Sequence, residues 1–411
     1  MNTLKSKNNL KTTIQWNWMT ILFIGILTCG ITSCEKNDNE PTGDGGEKET
    51  AYVRSFETYG LTNIKYLEAT EDLATNPDLS QAVELGQNIS VYSVGEYPMT
   101  VSSDAKTITK WSVDKTTLKL SVAGILSYAS TGATSTDVVF VSETAAFIND
   151  LAEGVIVEFN PTTMEIVTTH NVTPVAHPDN FSFYTVGNLY NGKVLFPIQW
   201  SVVSCCNYST PLYGTVGIFD PATGILTYDT DNRAIGFGGI FIDGDNAYVV
   251  PANSQNNWMK EFFGASPNPF TVLKLNSDGT FNDSYISDLS DGLPDATLIR
   301  SSSFVYQNKY VFLYSDDEIG TFDNRYSARG AMKFNSVSYD LTTNEAQPFA
   351  FDDGYNQVYL TATIDGVNYF RALRLSADNY DTDILVQNSL EDYSVISTMK
   401  TGGFAYLGKL W

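Results

Sequence analysis

Apolar and polar positions along this chain recur in short runs rich in Val, Ile, Tyr, Phe and Thr, broken by Gly, Asn and Asp. TITKWSVD (107–114), VIVEFN (155–160), KVLFPI (193–198) and KYVFLYS (309–315) are representative. Runs of this length, composition and punctuation predict β-strands joined by turns. No long stretch carries the 3.6-residue period of an amphipathic helix. At most a short helical turn is expected near Asn257 to Gly264.

The strands repeat. A strand ends in an apolar residue, an Asp or Asn follows, the chain turns and a second strand leaves. The instances are Val113-Asp114-Lys115-Thr116-Thr117, Phe159-Asn160-Pro161-Thr162-Thr163, Phe219-Asp220-Pro221-Ala222-Thr223, Leu275-Asn276-Ser277-Asp278-Gly279 and Tyr339-Asp340-Leu341-Thr342-Thr343. An Asx side chain bonds the backbone two residues on, and Pro presets φ, so each is a turn with a mechanism. The Asp/Asn positions are 46, 60, 56 and 64 residues apart. Hairpin signatures precede the later instances at Leu189 to Phe196, Phe241 to Val250 and Val305 to Tyr314, with Asn191-Gly192 the clearest tight-turn pair.

Each period therefore reads strand, tight turn, strand, variable loop, strand, Asx turn, strand. A four-stranded antiparallel unit repeated at this spacing is a propeller blade. Five blades are anchored by the Asx turn. Ala51 to about Pro98 and about Phe351 to Trp411 have room for one more each. The expected fold is an all-β, seven-bladed β-propeller, with six or eight blades as alternatives and a large β-sandwich as the competing architecture. The last strand, Phe404 to Trp411, is placed to complete a blade begun at the N-terminus.

The chain begins differently. Lys5, Lys7 and Lys11 precede an apolar run from Met19 to Ile31, which closes on Ile31-Thr32-Ser33-Cys34. This is the pattern of a bacterial lipoprotein signal peptide, residues 1–33, with Cys34 as the lipidated residue. The run is too short for a permanent membrane helix. Residues 34–50 lack aliphatic and aromatic side chains beyond the cysteine and read as a disordered acidic tether to a propeller domain at 51–411. Acidic residues after a lipidated cysteine resemble the export signal of surface lipoproteins. The expected location is the outer membrane, lipid-anchored, at the cell surface or on the inner leaflet.

Composition narrows the partners. The formal charge of −23 becomes −26 once the three leader lysines are removed. That field disfavours nucleic acid and anionic lipid surfaces, and its plainest role is solubility. Only His170 and His177 exist, there is no GxSxG and no spaced CxxC pair, so a multi-histidine centre is excluded and enzyme signals are weak. Carboxylates are too abundant to be informative singly. Asp316-Asp317-Glu318 has the oxygen chemistry for calcium, a solvated acidic run being the plainer reading. No other cofactor is expected.

Candidate binding chemistry lies in the longest loops, between second and third strands: Gln199 to Gly214, Pro251 to Pro269 and Ser315 to Met332. They carry Trp200, Cys205, Cys206, Tyr208 and Tyr213; then Trp258, Met259, Lys260, Phe262 and Phe263; then Phe322, Arg325, Tyr326 and Arg329. Blade-to-blade loops on the same face add His170, His177 and Arg300. Aromatic faces and planar guanidinium donors suit a flat, partly anionic ligand; packing of the loops onto the blades is the alternative. Cys205-Cys206 form a vicinal disulfide, remain buried thiols, or bind a soft metal.

With its lipoprotein leader, acidic tether and FNPTT and FDPATG turns, the chain resembles the surface-lipoprotein propellers that accompany TonB-dependent receptors, including xenosiderophore-capturing and myxochelin-export-associated proteins. The resemblance implies capture of an iron–siderophore complex or similar small ligand on the loop face. The expected contacts are Trp200, Tyr208, Trp258, Lys260, Arg300, Arg325, Tyr326 and Arg329, and a TonB-dependent receptor is the expected partner. The net charge opposes an anionic siderophore at long range, so local Arg and Lys must dominate. A protein-interaction scaffold and a lactonase- or lyase-type propeller enzyme are the alternatives.

Overall fold

The computed structural model describes residues 46–58, 64–134, 137–176, 181–202, 211–251, 270–293, 298–306, 309–315, 335–348, 355, 357–375, 380–389, 392–400 and 402–411. Seven four-stranded antiparallel sheets form a seven-bladed β-propeller. Blade 1 comprises Ile89–Val94, Tyr97–Ser102, Thr107–Val113 and Leu120–Ser127. Blade 2 comprises Val138–Ser142, Ala145–Asp150, Val155–Asn160 and Glu165–Asn171. Blade 3 comprises Asn188–Tyr190, Lys193–Pro197, Gly214–Asp220 and Ile225–Asp231. Blade 4 comprises Phe237–Asp243, Asn246–Pro251, Thr271–Leu275 and Ser287–Asp288. Blade 5 comprises Leu298–Tyr306, Lys309–Ser315, Asn335–Asp340 and Glu345–Pro348. Blade 6 comprises Gln357–Ile364, Val367–Leu375, Tyr380–Ser389 and Asp392–Met399.

Blade 7 closes the ring. Its first strand is C-terminal, Gly402–Lys409, and the other three are N-terminal, Tyr52–Thr58, Ile64–Thr70 and Val83–Leu85. Tyr52 pairs with Lys409 and Thr58 with Gly402. The pairing extends past the strand ends: Leu410 N donates to Ala51 O at 2.9 Å, and Trp411 Nε1 donates to Lys48 O at 3.0 Å. Within this blade the buried Arg54 guanidinium meets Glu68 at 2.6 Å and Thr75 O at 2.6 Å.

The period-2 alternation explains how the blades cohere. Successive side chains of a strand point to opposite faces, and in a propeller both faces meet a neighbouring blade. In Lys193–Pro197, Val194 and Phe196 join a cluster with Phe147 and Ile156 of blade 2, while Leu195 joins Phe237, Val249 and Leu273 of blade 4. Central strands are therefore nearly continuous apolar runs, whereas the outermost strands are half exposed. The described residues contain seven such clusters, one at each blade interface.

The repeated Asx turns join third and fourth strands. Asn160 Oδ1 accepts from the backbone of Thr162 at 2.8 Å and Thr163 at 3.2 Å, and Asp340 accepts likewise from Thr342 and Thr343. The residue four places on donates back to the Asx carbonyl at 2.8 Å in blades 1, 2, 3 and 5. That residue, Leu118, Met164, Gly224 or Asn344, has φ between +58° and +70°. Blade 4 departs from the pattern: Asn276 is followed by Gly279 at φ +90°, and Asp278 supplies the capping carboxylate. The left-handed residue also touches the preceding blade: Met164 packs on Gly124, Gly224 on His170, and Asn344 Oδ1 accepts from Ser287 Oγ at 2.7 Å. The expected tight turn at Asn191-Gly192 is present, with φ +48° and +76°.

Two helical turns were not legible in the sequence, a 3₁₀ turn at Ala129–Thr131 and a single α-turn at Leu289–Gly292 capped by Asp288. Both are too short to show a period. The turn expected near Asn257 to Gly264 lies outside the described residues. A two-stranded ribbon, Phe181–Tyr184 with Gln199–Val202, also joins the approach to blade 3 with the loop after its second strand.

Candidate functional site

Strands alternate in direction, so second-to-third-strand loops and blade-to-blade connections share one face of the ring, the loop face. First-to-second and third-to-fourth turns share the other. A cavity of about 590 Å³ lies on the loop face at the centre of blades 7, 1 and 2. Its wall is built from the first strand of blade 1 through Ile89 to Tyr92, from blade 7, and from strand ends and connections around blade 2.

Blade 7 contributes through an irregularity. Ser55 pairs with Tyr406 but Phe56 with Phe404, leaving Ala405 as an extra residue in the closing strand. A bulge of this kind bends the strand and re-aims its side chains. Ser55, Ala405 and Tyr406 all line the cavity. Tyr406 shares a hydrogen bond of 2.6 Å with Ser93 of blade 1, and burial raises its phenol pKa. Lys65 spans the same interface, donating from Nζ to Ile89 O at 2.6 Å.

Blade 2 contributes the carboxylates. Its second strand, AAFIND, places two polar residues after an apolar run, where the strand reaches the loop face. Asp150 Oδ2 accepts from Thr134 N at 2.6 Å and Thr134 Oγ1 at 2.8 Å, and its Oδ1 accepts from Glu153 N at 3.1 Å. Asp137 Oδ2 accepts from Gly187 N at 3.2 Å and, at 3.5 Å, from Asn149 Nδ2. Gly187 has no room for a side chain: a Cβ there would sit 2.4 Å from Val139 Cγ2 and 2.8 Å from Phe196 Cε1. Burial pushes the Asp137 carboxyl up from 3.8 to about 6, outweighing the two hydrogen bonds that lower it.

Three side-chain oxygens in the residues of this wall are buried without a hydrogen-bond partner: Ser55 Oγ, Asn149 Oδ1 and Thr185 Oγ1. Each such group costs about 1–3 kcal/mol. Three around one cavity are a reason to look for a ligand there.

A second, smaller cavity of about 340 Å³ opens on the turn face between blades 1 and 2. Lys110 lines it, 8% exposed, with Nζ 3.2 Å from Thr162 O and 4.0 Å from the Tyr97 ring centroid. Glu96 and Glu143 share that wall.

Of the eight expected ligand contacts, Tyr208, Trp258, Lys260, Arg325, Tyr326 and Arg329 lie outside the described residues, as do Cys34, Cys205, Cys206, His177 and Asp316-Asp317-Glu318. Arg300 is in a strand rather than a loop: its backbone pairs with Leu313 in the first strand of blade 5. Trp200 is 1% exposed, in edge-to-face contact with Tyr213 at 5.8 Å and Phe183 at 6.5 Å. It packs behind Phe183, which lines the large cavity. His170 also departs from the expected loop position. It pairs with Ile156 in the outermost strand of blade 2, 3.3 Å from Glu158 and edge-on to Phe219. The alternation of Glu165–Asn171 carries that strand past the histidine. The long loops do fall between second and third strands, after Pro197, Pro251 and Ser315.

Among the described residues no group of three His, Cys, Asp or Glu side chains is arranged to hold a metal ion, and no helix is long and apolar enough to cross a membrane.

No family model and no curated protein sequence matches the chain. Among solved structures it is similar to a putative 6-phosphogluconolactonase from Bacteroides fragilis, with 12% identity, a TM-score of 0.48, and 90% of this chain covering 99% of that one. A protein from Lactobacillus plantarum gives 11%, 0.47, and 87% over 99%. AztD of Citrobacter koseri gives 11%, 0.39, and 88% over 98%. At these values no activity carries over to this chain.

Proposed function

We propose that this chain is a non-enzymatic, lipid-anchored protein of the outer membrane that captures a small ligand on the loop face of its propeller. The observation that carries the reading is the cavity at the centre of blades 7, 1 and 2, whose volume is that of a small-molecule site and whose wall mixes aromatic rings with unpartnered polar atoms. The basic and apolar leader ending at Cys34 and the acidic stretch after it support anchoring. The ligand would pass to a TonB-dependent receptor. An iron–siderophore complex is what the Arg and aromatic content of the loops suits, through Arg325, Tyr326 and Arg329 above all.

Thermal unfolding of the mature chain against ferric siderophores, haem, glycans and calcium tests this. A ligand at a hundred times its Kd adds about 2.7 kcal/mol, a shift of several degrees. A midpoint rise with one organic class is expected. No rise with any member would overturn ligand capture in favour of a protein-interaction scaffold.

A second reading, a lactonase- or lyase-type propeller enzyme, draws on one feature. Asp137 is a cavity carboxyl whose pKa, near 6, suits proton transfer close to neutral pH. Hydrolysis of a lactone panel abolished by Asp137→Ala would favour it.

A further inference from the structure

We infer that the loop-face cavity takes an organic cation of the ammonium class. This rests on the capture reading and names a ligand class for the same site.

Charge selects the class. Among the described residues of the wall, two carboxylic side chains, Asp137 and Asp150, stand against one cation, Lys65, which is turned to Ile89 O at 2.6 Å. Asp150 accepts from Thr134 N, Thr134 Oγ1 and Glu153 N, all neutral donors. Gly187 N and Asn149 Nδ2, which donate to Asp137, are neutral as well. Asn149, 2% exposed, spends its amide hydrogens on Asp137 Oδ2 and Phe147 O, and its Oδ1 meets no donor. A neutral alcohol can donate to such acceptors but gains nothing from the excess negative charge. An ammonium makes the same bonds as charge-assisted ones, about twice as strong, in a partly desolvated site. An anion meets an excess of like charge there. The formal charge of −23 on the whole chain steers cations in the same direction.

Size and the rings make the cation organic. A volume of about 590 Å³ is far more than a bare ion fills, and among the described residues no three His, Cys, Asp or Glu side chains are arranged to hold a metal. The rings of Tyr92, Phe183 and Tyr406 share the wall with the carboxylates. Ring faces attract an ammonium charge and cover the carbon chain that carries it.

Asp137 makes the assignment testable. Burial holds its carboxyl up at about 6, and a cation bound beside it draws that value back down. The other charged or titratable groups of the wall are Asp150, Lys65 and the phenols of Tyr92 and Tyr406. Tyr128, in the field of Asp150, is pushed up to about 12, chiefly by burial.

The test is calorimetric titration of the mature chain at about 0.15 M salt, which screens loose attraction to the acidic surface. The probes are a diamine, tetramethylammonium, a neutral hexose, a hexuronate, a ferric catecholate and calcium. Binding of an ammonium probe at pH 7 is expected. Its affinity should fall about tenfold from pH 7 to pH 5, as Asp137 takes up its proton. At pH 6, titration in buffers of different ionisation enthalpy should show about half a proton released per cation bound. Asp137→Asn should weaken binding about ten- to a hundredfold at pH 7 and remove both pH effects. Its melting midpoint, read alongside, separates lost binding from lost fold. Ammonium binding unchanged by Asp137→Asn and by pH would place the cation elsewhere on the acidic surface and overturn the assignment. Binding of hexose, hexuronate or ferric catecholate in place of ammonium would overturn the ligand class while leaving capture standing. Binding of calcium alone, or of no probe, would overturn both.

Discussion

Asp137 shows how one residue couples the site to solution conditions. Its carboxyl sits in the cavity wall, accepting from the Gly187 amide at 3.2 Å, and burial holds its pKa near 6 against 3.8 in the unfolded chain. The folded state therefore holds this proton more tightly than the unfolded state. Stability contributed here falls as pH rises from about 4 to about 6, by roughly 2–3 kcal/mol, and stays low above that. Asp137→Asn keeps an oxygen for Gly187 N and removes the titration. Its melting midpoint is expected to match that of the parent near pH 3.5 and to exceed it by several degrees at pH 7. A difference that does not change with pH would show that Asp137 ionises as freely in the fold as outside it.

At the scale of elements, the Asx turn is what made the fold legible. Its chemistry is confined to five consecutive residues, so Asp114, Asn160, Asp220 and Asp340 announce the end of a third strand without reference to any other blade. Alternation along KVLFPI and NAYVV is equally local. The site is not local. Ser55, Asp137 and Asn149 come from blade 7, a blade-to-blade connection and the second strand of blade 2, and no spacing in the sequence relates them. The polar end of AAFIND was the available signal, and it is hidden among 47 acidic residues. The aromatic loops advertised themselves by composition, and Trp200 shows that such a ring can be a packing element instead. The turn also bonds one blade to the next, which gives a test. Gly224 has φ +70°, and a Cβ there would lie 2.5 Å from His170 Nδ1 of blade 2. Gly224→Ala adds about 1–2 kcal/mol of backbone strain to that collision. A loss of about 2 kcal/mol or more in urea unfolding is expected. Unchanged stability would mean that the turn does not clamp the blades.

At the scale of the molecule, closure of the ring and the candidate cavity share a strand. Gly402–Lys409 supplies the innermost strand of blade 7, and its extra residue Ala405 and neighbour Tyr406 form part of the cavity wall. Phe404, fully buried, packs with Phe56, Ile384, Met399 and Leu407 where blade 7 meets blade 6. Phe404→Ala should cost about 3–5 kcal/mol, as large-to-small core changes do. Phe312, fully buried between blades 4 and 5, is its counterpart across the ring. Phe312→Ala should cost a similar amount, because every interface carries the same kind of load. The two should differ in ligand binding. A cavity at Phe404 lets the bulge relax, and with it Ser55 and Tyr406, so ligand affinity falls with stability. A cavity at Phe312 lies two or more blades from the site and leaves affinity unchanged in protein that remains folded. Urea unfolding paired with calorimetric titration separates the effects. Equal loss of affinity in both variants would mean that the ring responds as one rigid body, and that the closing strand has no special hold on the cavity.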